Sequence, residues 1–274
     1  MRSGLLALFL AVSVVAPVHA ASVDGLAIHS SSVGAGPTLV FVHGWTCDSS
    51  SWNAQVAAFA TKYRVITLDL PGHGESEGPR DGKFSMDLFA RAVEAVRSEA
   101  GADRVVLIGH SMGAPVIRQY AHLYPNRVAG LVAVDGPLDL RGFPPPQLGQ
   151  GPPPMTGAEG LKAREGMIRS MFVAETAPAL QEHILKMMLG APEATATGAM
   201  AAMFDPSLRW TDVTPAPALA VYAGTARVPD AAVTKELYPN YEAKQVAGTG
   251  HFLMMEKPAE FNGTLTEFLT KIKF

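Results

Sequence analysis

The sequence has 274 residues, 48% of them hydrophobic and 17% charged, with a formal net charge of −3. Such a chain is long and apolar enough for one core with an insertion, and its acidic balance without a basic run excludes a nucleic-acid surface. The only cysteine is Cys47, which excludes an intrachain disulfide in any compartment.

Residues 1–20 read as a secretory signal peptide. Arg2 precedes an apolar run from Leu5 to Val15, and Val18-His19-Ala20 before Ala21 has the pattern of an A-x-A-type cleavage site. The run is too short for a spanning helix, with a retained membrane anchor as the alternative reading. No cysteine follows it, so a lipid anchor is not supported. The expectation is a secreted or periplasmic domain with no stable membrane anchor after leader removal.

Val23 to His29 alternates loosely and is expected as an antiparallel edge strand. Leu39 to Val42 follows as a buried strand ending in His43-Gly44-Trp45. A helix is expected from Ser49-Ser-Ser-Trp52 to about Ala60, with a serine available as its cap. Tyr63 to Leu68 is the next strand, closed by Asp69-Leu-Pro-Gly-His-Gly-Glu-Ser76. Phe84 to Ala100 has helical periodicity and stops at Gly101.

The organising stretch comes next. Val105 to Ile108 reads as a strand buried on both faces, and Ala114 to Tyr124 as a helix. Between them stands Gly109-His110-Ser111-Met112-Gly113. Strand, G-x-S-x-G and helix together form the pattern of a nucleophile elbow, a turn too tight for side chains two residues either side of the serine. A serine at such a turn also serves as a helix cap, but the flanking elements favour Ser111 as a nucleophile. Val128 to Val134 is a further strand, ending at Asp135. Strands alternating with helices at this spacing argue for a parallel, doubly wound sheet.

His43-Gly44, the Asp69–Ser76 turn, Gly-His-Ser-Met-Gly and a late Gly248-Thr-Gly-His-Phe-Leu stand in an order that resembles the α/β-hydrolase superfamily. The resemblance covers nearly all of 37–274 except the middle. It departs at Ala114, where many relatives carry a second glycine after Gly113. It implies an α/β-hydrolase fold, a mostly parallel doubly wound sheet with an inserted helical cap. The core would be 21–138 and 215–274, and the cap 139–214.

That middle opens with seven prolines from Pro137 to Pro154, two triple runs among them, which suit a stiff extended connection. Helical stretches follow over roughly 158–174, 178–189 and 194–204. Seven of the 12 methionines fall here: Met155, Met167, Met171, Met187, Met188, Met200 and Met203. Methionine fills irregular gaps in small helical layers, and it also lines adaptable apolar pockets. After the cap, Ala218 to Tyr222 and Ala243 to Val246 are expected as strands, Asp230 to Leu237 and Pro258 to Ile272 as helices.

A serine hydroxyl needs a base to take its proton, and a histidine base needs an acid to fix its tautomer. Of eight histidines, His29, His122 and His183 have no motif around them, and His43, His73 and His110 belong to glycine-flanked turns that favour local packing. The resemblance implies His251 as the base and the backbone N–H groups of Met112 and Trp45 as oxyanion donors. The Trp45 indole is expected as a pocket wall, and Cys47 as a small buried hydrophobe. In relatives the acid usually stands in a Gly-x-x-Asp…Pro loop, which here reads Gly224-Thr-Ala-Arg-Val-Pro-Asp230 with Arg227 in the expected place. Asp135 is the leading candidate, because its place at the end of the Val128–Val134 strand resembles the position used by haloalkane-dehalogenase-type members, with Asp230 second and Asp139 or no acid at all as the remaining alternatives. Asp69 reads as structural.

The expected activity is hydrolysis of a carboxylic ester of a small or medium apolar acyl or aryl substrate, without metal or organic cofactor. Lactonase, amidase and perhydrolase chemistry would use the same triad. The alternative from another class is a non-catalytic ligand-binding protein of the same fold, suggested by Arg227 in the usual acid position.

Overall fold

A computed structural model describes residues 21–141, 155–208 and 211–274. The expected leader and most of the proline-rich connection lie outside the described residues. Among those described, no helix is long and apolar enough to cross a membrane.

The chain opens with a hairpin, β1 (Ala21–Val23) and β2 (Leu26–Ile28), followed by β3 (Ser30–Val33). The single edge strand expected over Val23–His29 is therefore replaced by two elements, because Asp24 and Gly25 both take positive φ and turn the chain back. The antiparallel edge strand is β3, paired to β5 (Arg64–Leu68). The sheet then has seven strands in the order β3-β5-β4-β6-β7-β8-β9, all parallel beyond the β3 edge. Here β4 is Thr38–Val42, β6 Val105–His110, β7 Val128–Val134, β8 Ala218–Ala223 and β9 Tyr241–Val246. Strands β4, β6 and β8 are buried along their whole length, as continuous apolar runs covered on both faces require.

Two helix pairs flank the sheet: α2 (Met86–Glu99) with α3 (Gly113–Leu123), and α1 (Asn53–Phe59) with α9 (Pro258–Lys271). Ser85 caps α2 by accepting from the Leu88 N–H at 3.0 Å, so Phe84 falls just outside the helix and is free to pack elsewhere. The Ser49–Trp52 segment is a 3-10 turn leading into α1, and its cap is Asp48 rather than a serine. The Asp48 carboxylate accepts from Ser50 N at 2.9 Å, a better acceptor than a hydroxyl.

Between β7 and β8 lie α4 (Gly157–Arg169), α5 (Pro178–Gly190) and α6 (Glu193–Met203). They are held over the carboxyl ends of the strands by hydrogen bonds from the core. The Trp45 indole N–H donates to Ala196 O at 2.8 Å, the His251 N–H to Met171 O at 3.0 Å, and the Arg118 guanidinium to Leu208 O. In return Thr195 Oγ1 donates to Gly72 O at 2.8 Å. Helix α4 ends earlier than its periodicity suggests, and the chain beyond it bends down so that Met171 O meets the His251 N–H. After β8 come α7 (Ala231–Lys235), the short α8 (Leu253–Glu256) and α9.

Candidate active site

Parallel register brings the ends of β6, β7, β8 and β9 to one edge: His110 pairs with Val134, Val134 with Val221, and Ala223 with Val246. Whatever follows those residues is gathered there. Ser111, one residue beyond β6, has φ of 51°, and its N–H donates to Val134 O at 2.9 Å. A left-handed conformation is uncommon for a residue with a Cβ and marks a turn held by its surroundings. A Cβ at Gly109 would run into the Gly113 carbonyl, and one at Gly113 into the Val42 carbonyl. The two glycines let strand, turn and helix close at this spacing.

Asp135, one residue beyond β7, is also left-handed, with φ of 44°. Its N–H donates to Val221 O at 2.8 Å, and its Oδ1 accepts from the Ala223 N–H at 2.9 Å. Its Oδ2 lies 2.6 Å from His251 Nδ1. A carboxylate only accepts, so Nδ1 carries the hydrogen and Nε2 keeps a free lone pair.

The His251 loop is fixed from several sides. Gly250 N–H donates to Glu256 Oε2 at 2.8 Å, Thr249 Oγ1 to Val246 O at 2.7 Å, and His110 Nε2 to the His251 carbonyl at 2.9 Å. Nothing in the sequence announced the last of these, or the Met171 bond, because both end on main-chain atoms far apart in the chain. Burial holds the His110 imidazole neutral, its pKa well below the ordinary range.

Gly44 lies directly against the elbow: a Cβ there would come 3.1 Å from Ser111 Cβ and 3.0 Å from His110 Nδ1. The next residue, Trp45, and Met112 at the start of α3 are both almost fully buried. Among the described residues their backbone N–H groups have no acceptor.

Ser111 and His251 border one cavity of about 1010 Å³, together with Trp45, Phe84, Phe204 and Phe252. Six of the seven cap methionines line it. Met187 instead sits against the Ser51 hydroxyl at 3.5 Å. The Trp45 indole forms a wall, as expected, and in addition ties the cap down.

The family model described as alpha/beta hydrolase fold matches residues 37–166, from the start of β4 into α4. The chain has the α/β-hydrolase fold. A likeness to a solved N-acyl homoserine lactone degrading enzyme, Est816, runs over 90% of this chain and 99% of that one, with TM-score 0.73 and 26% identity. Among curated proteins, the chain is 36% identical over 109 residues to epoxide hydrolase B of Mycobacterium tuberculosis. It is 37% identical over 101 residues to the pimeloyl-[acyl-carrier protein] methyl ester esterase of Aeromonas hydrophila. Those alignments cover 39% and 37% of this chain, and only 31% and 38% of the relatives' own length.

The remaining candidates are engaged elsewhere or exposed. Asp230 caps α7, accepting from Ala232 N at 2.8 Å, and Arg227 is exposed. Asp139 pairs with Arg141 at 2.8 Å, which holds its carboxyl below the usual range against the effect of burial. Asp69 braces its turn, accepting from Ser49 N at 2.7 Å and Glu75 N at 2.9 Å. Burial pushes the Cys47 thiol far above its ordinary pKa, so it stays protonated. Among the described residues there is no group of three or more His, Cys, Asp or Glu arranged to hold a metal ion.

Proposed function

We propose that the protein is a serine hydrolase that cleaves a carboxylic ester with an apolar acyl or aryl part, and that residues 1–20 direct its export. The observation that carries the reading is the 2.6 Å contact between His251 Nδ1 and Asp135 Oδ2, with His251 and a left-handed Ser111 bordering one cavity. His251 Nε2 takes the Ser111 proton as Oγ attacks the ester carbonyl. Asp135 holds the tautomer and balances the imidazolium that forms. The oxyanion is met by the N–H groups of Met112 and Trp45, fixed by the start of α3 and by the Gly44 turn. Imidazolium then protonates the departing alcohol, and water repeats the sequence on the acyl-enzyme. A serine at the elbow, rather than a carboxylate, sets this chemistry apart from epoxide opening through an alkyl-enzyme.

A lactone is the same acyl–oxygen bond closed into a ring, and the likeness to the lactone-degrading enzyme supports it as a second substrate class. The test is release of nitrophenol from nitrophenyl acetate, with mass-spectrometric localisation of a fluorophosphonate label to Ser111. Ser111→Ala removes only Oγ. Residual turnover above about a thousandth of wild type would sink the assignment, since triad removal costs on the order of 10⁶.

A further inference from the structure

The substrate cavity is unusual in what its walls are made of. Met155, Met167, Met171, Met188, Met200 and Met203 face it from the cap, opposite Ser111 and His251. Met155, Met188 and Met200 are buried, whereas Met167, Met171 and Met203 keep part of their surface open to solvent. Cys47 also borders the cavity but is nearly inaccessible. The oxidisable groups that solvent reaches there are therefore thioethers.

We propose that this wall is an oxidation site through which peroxide changes what the enzyme accepts, with Met167, Met171 and Met203 as the reacting residues. The inference rests on the hydrolase reading for its catalytic consequence, not for its chemistry. The methionine sulfur lone pair attacks one oxygen of hydrogen peroxide. The O–O bond breaks, a sulfoxide S–O bond forms, and the other oxygen leaves as water after proton transfer. Sulfur loses two electrons and peroxide gains them. The product is a strongly polar acceptor on a surface that had matched apolar chains. A long acyl chain then has to bury sulfoxide oxygens without donors, an expense that a short acetyl group, held near Ser111, avoids.

The experiment treats the purified protein with hydrogen peroxide, maps sulfoxides by peptide mass spectrometry, and follows two readouts. One is the affinity of the apolar fluorophore N-phenyl-1-naphthylamine, which needs no turnover. The other is the ratio of kcat/KM for nitrophenyl octanoate and nitrophenyl acetate. Met167, Met171 and Met203 are expected to oxidise ahead of Met155, Met188 and Met200. Fluorophore affinity and the octanoate-to-acetate ratio should each fall on the order of tenfold, and sulfoxide reductase should restore them. The triple Met→Leu protein conserves side-chain volume and should hold its own starting values through peroxide; if it fails to fold, each single replacement should remove part of the shift. Mapped sulfoxides at the three positions with unchanged fluorophore affinity would overturn the proposal. So would oxidation confined to other methionines, or an equal loss in the Leu proteins. Failure of the hydrolase reading looks different: no nitrophenol release and no Ser111 label before any peroxide is added.

Discussion

His110 Nε2 donates to the carbonyl oxygen of His251 across 2.9 Å, and the two rings lie 4.8 Å apart, centroid to centroid. The residue before the proposed nucleophile therefore holds the main chain of the proposed base. Because the carbonyl can only accept, Nε2 carries the hydrogen. The neutral ring leaves Nδ1 buried without a partner among the described residues. A merely space-filling residue would not need that arrangement. His110→Phe should lower kcat on the order of tenfold with KM nearly unchanged. His110→Gln, which keeps a donor, should recover much of the loss. Equal fluorophosphonate labelling rates in all three proteins would reject this positioning role.

The choice of acid is tested by two asparagines. Asp135→Asn should let His251 settle in the wrong tautomer, dropping turnover by up to ~10⁴ with little change in substrate affinity. Asp230→Asn should cost little, since asparagine caps a helix about as well as aspartate. The ordering of the two kcat values is the result to watch, and its reversal would return the acid to the loop after β8.

The elbow makes its own prediction. Gly109→Ala places a methyl on the Gly113 carbonyl, and overpacking of that kind costs ~1–3 kcal/mol. A lower urea midpoint and lost activity are expected together. By contrast Ala114→Gly, the residue many relatives carry, should keep activity and lose roughly 0.5–1 kcal/mol from α3. A functional Gly109→Ala enzyme of wild-type stability would contradict the steric account.

Acid should destabilise the fold in a defined direction. Burial lowers the pKa of His43 and His110, and that of His73 to about 3. His43 Nε2 accepts from the Leu70 N–H at 2.9 Å, a role only the neutral ring can fill. Below about pH 6.5 the unfolded chain binds protons at these sites and the native one does not, so stability falls as pH falls. Each histidine contributes up to about 1.4 kcal/mol per pH unit in that window. Urea midpoints between pH 7.5 and pH 4.5 measure the slope, and His73→Asn should make it shallower. A flat profile would show that these imidazoles stay accessible to protons in the native state.

Much of the architecture was legible because it rests on local patterns. Val128–Val134 is both the apolar run and the strand, and Gly109–Gly113 forces its turn whatever lies around it. Asp135 was readable as a candidate only through the resemblance of its strand-end place to that used by haloalkane-dehalogenase-type members, and only the fold sets its carboxylate against a histidine 116 residues away. Helix starts were less legible: Asp48, not the following serines, caps the 3-10 turn, since the carboxylate won a competition among adjacent polar residues. The hairpin over Ala21–Ile28 was missed because its strands are three residues each, too short for alternation to register. Contacts that end on carbonyls, such as Met171 O to the His251 N–H, leave no trace in side-chain identity.

Those carbonyls bear on how such a protein changes over time. Trp45, Arg118 and His251 all grip the cap by its main chain, at Ala196, Leu208 and Met171. A carbonyl is supplied by any residue, so side chains along these helices are replaceable while the docking points persist. The segment that shapes the cavity is thereby free to diversify, and the segments that carry Ser111, Asp135 and His251 have no need to follow it. Libraries that randomise cap side chains but preserve the backbone path should yield many folded variants with new substrate preferences. Insertions or deletions that shift the register of those three carbonyls should yield few.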